Sequence, residues 1–136
     1  MTTDHSRPGA SNAEFERFFD DNFPAIVNDL LATDPDRGLR RARSAFATAY
    51  RFWAKVTSDE EAAALVHAEL ATQSRRHSSE GPVARARGRL RFDTADLPVE
   101  RRRVVALGRR RRLVGQAGLA VMGGLAVAAE LLIARR

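Results

Sequence analysis

Arginine is the residue through which this chain could act chemically. Of 23 basic residues only Lys55 is a lysine, and 17 acidic residues leave a formal net charge of +6. A guanidinium is a planar fork that matches phosphate or carboxylate, whereas a lysine ammonium is a point charge. The arginines are also clustered. Arg85, Arg87, Arg89 and Arg91 alternate with Ala84, Ala86, Leu90 and Phe92. Arg109, Arg110, Arg111 and Arg112 form an unbroken run, and Arg75 and Arg76 a pair. Two kinds of anion suit such runs: the phosphates of nucleic acid and the headgroups of an anionic lipid surface.

The other side chains argue against catalysis. His5, His67 and His77 lie far apart and form neither a metal-binding spacing nor a triad. There is no Cys, which excludes disulfides, thiolate metal sites and thiol nucleophiles. The glycines between Gly118 and Gly124 are not followed by Gly-Lys-Ser or Gly-Lys-Thr, so they make no phosphate loop. Asp20-Asp21 and Asp59-Glu60-Glu61 read as charges near helix ends. The expectation is a non-enzyme without cofactor or metal.

Helices must position the arginines. Residues 1–11 are polar with Pro and Gly, which predicts a disordered tail. That stretch has no apolar run, so it is no secretory signal, and a cytoplasmic location is expected for the soluble part of the chain. Ser11 and Glu14 form a capping box, and Phe15, Phe18, Phe19, Ile26, Val27, Leu30 and Leu31 come after it at helical spacing. Pro24 predicts one helix with a break near it, or two short helices. Leu39, Ala42, Phe46, Ala49, Trp53 and Val56 predict a second amphipathic helix, with Arg37, Arg40, Arg41, Arg43 and Arg51 on its other face. Ser58 with Glu61 opens a third, with Ala62, Leu65, Val66 and Leu70 as its apolar set. Residues 83–92 read as an extended linker or edge strand, and 93–98 as a turn.

Leu113 to Ala134 is apolar but for Gln116 and Glu130. As a helix it would measure roughly 33 Å, close to the roughly 30 Å hydrocarbon core of a bilayer. A single transmembrane span is therefore expected. Arginines are far denser before it than after it, which places the N-terminus inside, at the cytoplasmic face of the membrane. A degenerate helix-turn-helix and a buried core helix are the alternatives, both with a cytoplasmic location. Ala120, Gly124 and Ala128 form a ridge of small residues at four-residue spacing, suited to pairing two such helices in a homodimer.

Three stretches in order carry a family likeness: Phe15-Glu16-Arg17-Phe18-Phe19 with Phe23-Pro24; Asp34-Pro35 followed by Ala45-Phe46-Ala47-Thr48-Ala49-Tyr50-Arg51-Phe52-Trp53; and the helix ending Arg75-Arg76-His77. Residues 14–77 resemble region 2 of the extracytoplasmic-function sigma factors of bacterial RNA polymerase. The resemblance implies a small all-helical domain that docks on the polymerase clamp and opens the upstream promoter element. It also places Arg75 and Arg76 near the DNA-facing end. The family's stretch before the Ala-Phe motif is acidic and meets basic groups of the clamp. Here Arg40, Arg41, Arg43 and Ser44 stand there, and Ala64 stands where the family carries a Trp. Like charges juxtaposed at an interface cost several kcal/mol, so ordinary docking on the core polymerase is not expected, and Arg40, Arg41 and Arg43 stand as candidate partner-docking residues.

Leu97-Pro98, Arg101 to Leu107 and Val121-Met122-Gly123 through Glu130-Leu131-Leu132 resemble region 4 in order. That likeness implies a helix-turn-helix over 97–136. The whole predicts an all-α chain: a tail over 1–11, a sigma region 2-like helical domain over 12–80, an Arg-rich linker over 81–98, and a basic helix over 99–136 leading into the apolar helix 113–134. The expected function is a non-enzymatic, sigma-like, transcription-associated regulator held at the membrane. Its expected partners are RNA polymerase or an anti-sigma-type protein, DNA, the membrane and a second copy of itself. A compact divergent sigma factor and a membrane adaptor without nucleic-acid binding are the alternatives.

Overall fold

The computed structural model describes the backbone of residues 11–77 and 91–133, and side chains as far as 76 and from 91 to 115. The architecture is all-α, with no strand among the described residues. Among the described residues four helices stand in order: α1 (Asn12–Thr33), α2 (Gly38–Arg51), α3 (Asp59–His77) and α4 (Leu97–Ile133). Short 3-10 turns stand at Trp53–Lys55 and Thr94–Asp96.

α1 begins where Ser11 and Glu14 satisfy each other's backbone amides, at 3.3 and 3.2 Å. The break predicted at Pro24 does not form, and α1 runs through it to Thr33. Proline inside a helix removes a donor and costs about 3 kcal/mol. Burial of Phe15, Phe18, Phe19, Phe23, Val27 and Leu31 along one face outweighs it. The chain then turns at Asp34, whose carboxylate accepts from the Arg37 amide. α2 starts so close to α1 that a Cβ on Gly38 would lie 2.9 Å from the Leu30 carbonyl carbon.

α2 is the centre of the bundle, with α1, α3 and α4 all packed on it. Its alanines make this proximity available: Ala42, Ala45, Ala47 and Ala49 are fully buried. The first two helices meet through aromatic rings. Phe15 stands edge-on to Tyr50 and Trp53 at 4.9 and 5.2 Å, and Phe46 lies among Phe18, Phe19 and Phe23. Phe92 brings the chain back to α1, stacking edge-on to Phe23 while its amide donates to Asn28.

The expected capping box at α3 forms only in part. The Glu61 amide donates to Ser58 Oγ, but the Glu61 carboxylate accepts instead from the amide and hydroxyl of Thr57, both at 2.8 Å. The Thr57 amide chiefly, then its hydroxyl, holds the Glu61 carboxyl below its ordinary pKa. The folded value is thus below the unfolded one. The stabilisation is present above the unfolded pKa and is lost as pH falls through the folded one. Thr57→Val removes the hydroxyl and keeps the amide. The Glu61 titration midpoint, followed by carbon NMR, is expected to move partway back up. An unchanged midpoint would show that the hydroxyl contributes nothing.

α4 starts two residues earlier than expected and is one helix of 37 residues. The helix-turn-helix expected over 97–136 does not form in its described part, because no turn interrupts Leu97–Ile133. The expected transmembrane span is also corrected: among the described residues no helix is long and apolar enough to cross a membrane. The placement at a membrane face, which rested on that span, goes with it. The physical reason lies in the arginine run before the apolar stretch. Arg109, Arg111 and Arg112 bond to α2, so the helix enters the apolar stretch already docked on the bundle. Leu113 and Val114, the first two apolar residues beyond them, continue the same helix and are 66% exposed.

Candidate functional site

The helix arrangement makes a groove over α2, walled by α3 on one side and α4 on the other, with a volume of about 1110 Å³. Seven of its described lining residues are arginines: Arg40, Arg41, Arg43, Arg51, Arg76, Arg110 and Arg111; Glu69 is the one carboxylate among the described lining residues. Phe52, Leu107 and Val114 supply carbon surface between them.

Several of these arginines are structural. Arg43 donates through Nε and Nη2 to the two oxygens of Glu100, the second at 2.7 Å. That carboxylate is almost wholly buried and also accepts from Arg103 at 3.1 Å. The hydrogen bond to Glu100 raises the Arg43 pKa above its already high ordinary value, while burial works the other way. Arg41 ties α2 to α3, donating to the Leu70 carbonyl at 3.3 Å and to Ser74 Oγ at 2.6 Å. Its Nε is buried without an acceptor. Arg111 donates to the Ser44 carbonyl and hydroxyl and to Thr48 Oγ1, at 2.9, 2.7 and 3.2 Å.

The run Arg109 to Arg112 is thereby divided. Arg109 donates to the Tyr50 hydroxyl, and Arg112 reaches the carbonyls of Tyr50 and Arg51 while lying over the Tyr50 ring. Those carbonyls belong to the last turn of α2, where a cation is favoured by the helix dipole. Gly108 permits the approach: a Cβ there would lie 2.6 Å from Tyr50 Cδ1. Arg110 alone of the four turns into the groove without a hydrogen-bond partner among the described residues. The side chains of Arg40 and Arg51 share that condition, and the Arg51 guanidinium lies 5.1 Å over the Phe52 ring.

The remaining sequence candidates are scattered. Arg75 and Arg76 are exposed at the end of α3, where Arg76 borders the groove. Arg91 is exposed beside the buried Phe92. Arg85, Arg87 and Arg89 lie outside the described residues. So do the side chains of Ala120, Gly124 and Ala128, whose backbone is helical. No group of three or more His, Asp or Glu among the described residues could hold a metal ion. Sequence reasoning passed over Glu100. Its signal was a lone acid directly before Arg101-Arg102-Arg103. It also left Arg51 on an undifferentiated charged face, although Arg40 and Arg51 are eleven residues apart, three whole turns of helix.

Comparison with known proteins finds no matching family model, no matching curated protein and no matching solved structure.

Proposed function

We propose that this chain is a non-enzymatic, sigma region 2-like regulator associated with transcription, acting in the cytoplasm by binding a protein. One observation carries the reading. The two aromatic motifs that resemble the sigma family are the two halves of one core, with Phe15, Phe18 and Phe19 of α1 packed against Phe46, Tyr50 and Trp53 of α2 and the turn after it. The departure from the family is equally specific. The face implied to meet the polymerase clamp bears Arg40, Arg41 and Arg43, and α4 engages Arg43 and Ser44 there. Docking in the ordinary manner is disfavoured on charge and on access. The chain is better suited to modulating a sigma factor, its anti-sigma-type partner or the polymerase than to replacing a sigma factor.

The test is transcription in vitro with bacterial core polymerase and an authentic sigma factor. Added chain is expected to change promoter-dependent transcript yield with dose while supporting no initiation by itself. Initiation by the chain plus core enzyme alone would establish the compact sigma factor instead. No effect on transcription, together with no binding to polymerase, sigma or anti-sigma protein, would remove the reading.

A further inference from the structure

We propose that the arginine-lined groove over α2 is a docking site for an acidic amphipathic helix of a protein partner. This rests on the groove alone and stands whether or not the chain acts in transcription. The first support is charge. Arg40, Arg51 and Arg110 line the groove and have no carboxylate partner among the described residues. Of the acids near it, Glu100 is engaged by Arg43 and Arg103, and Asp34 by Arg41 at 3.8 Å; Glu69, in the lining itself, accepts from Gln73 at 3.5 Å and leaves seven arginines facing one carboxylate among the described lining residues. The second support is spacing. Arg40 and Arg51 lie on one line of α2, roughly 16 Å apart at 1.5 Å per residue. Carboxylates at matching ends of a three-turn helix lying along α2 would meet both.

The third support is the surface between the charges. Leu107, Val114 and the half-buried Phe52 offer carbon at the floor and wall, and arginine stems add more. A helix that lays an apolar stripe in a groove and flanks it with acids uses both features. Single-stranded nucleic acid fits less well, because it needs open aromatic faces for its bases. Tyr50 and Trp53 are buried, and one face of the half-buried Phe52 ring is taken by the Arg51 guanidinium, which leaves ring edge but no open platform for a base.

The experiment is fluorescence anisotropy with the full chain. The probe is a labelled, stapled helical peptide of about four turns, with leucines along one stripe and glutamates flanking it. Its glutamine counterpart and a single-stranded oligonucleotide serve as competitors. The glutamate peptide is expected to bind, and the glutamine peptide to bind at least about tenfold more weakly, as loss of charge-assisted pairs requires. The triple variant Arg40→Ser, Arg51→Ser, Arg110→Ser, with unchanged helicity by circular dichroism, is expected to lose at least about tenfold as well. Arg102→Ser, outside the groove, is expected to bind like the parent. No binding of the glutamate peptide, or equal binding by the triple variant, would overturn the proposal. So would an oligonucleotide that binds more tightly than the peptide and is released by the same triple substitution, which would assign the groove to nucleic acid.

Discussion

Phe46→Ala is expected to cost about 3–5 kcal/mol, the range for deleting a fully buried aromatic side chain. The Phe46 ring is 0% exposed and lies 5.9, 5.3 and 5.2 Å from the rings of Phe18, Phe19 and Phe23. These neighbours are held by helix α1, so they cannot all close on the vacancy. Domains of this size have total stabilities of about 5–15 kcal/mol, so the loss is a large share of what holds the fold. Urea unfolding followed by circular dichroism should show a much lower midpoint. Phe46→Leu fills most of the space and is expected to cost less than about 1.5 kcal/mol. A loss below about 1 kcal/mol for Phe46→Ala, far under the usual range, would mean that α1 and α2 are not joined through this cluster.

The core was legible because its signal is local. Phe15, Phe18 and Phe19, then Ala42, Phe46, Ala49 and Trp53, show the three- and four-residue spacing of a buried helix face, and all are buried. The start of α1 was legible for the same reason, since Ser11 and Glu14 are three residues apart. Pro24 misled because intrinsic propensity lost to tertiary packing, which acts through residues distant in sequence. The groove was illegible for a related reason. It needs α2, α3 and α4 side by side, and nothing in a run of arginines says which of them will face a partner helix. Arg109, Arg111 and Arg112 hydrogen-bond to α2 whereas Arg110 lines the groove with no such bond among the described residues, a division made by the 3.6-residue turn and the direction in which α4 docks. The same docking bears on the membrane reading, since a basic run beside an apolar stretch does not say that its arginines will bond α2.

The direction in which α4 docks is set in part by the Arg43–Glu100 pair, and a double-mutant cycle across it should show a large coupling. Arg43→Met leaves the Glu100 carboxylate, 5% exposed, with Arg103, which is 57% exposed, as its one ion-pair partner among the described residues. Breaking a buried pair typically costs 3–5 kcal/mol, because one charge stays buried and uncompensated. The surviving Arg103 contact reduces this, so about 2–4 kcal/mol is expected. Glu100→Leu should cost less, about 1–2 kcal/mol, because Arg43 is 27% exposed and its guanidinium can turn to water. The double variant Arg43→Met, Glu100→Leu exchanges the pair for carbon surface and should stand within about 1 kcal/mol of the parent. Stability far above the sum of the single losses is the signature of direct interaction. Hydrogen exchange locates it: Arg43→Met should lower protection in the first turns of α4 and leave the centre of α1 unchanged. If instead the single losses add, the pair behaves as an exposed one worth less than about 1 kcal/mol. α4 would then be held on α2 by Val104, Leu107 and the arginines at Tyr50 and Ser44, and the groove's wall would owe nothing to the buried acid.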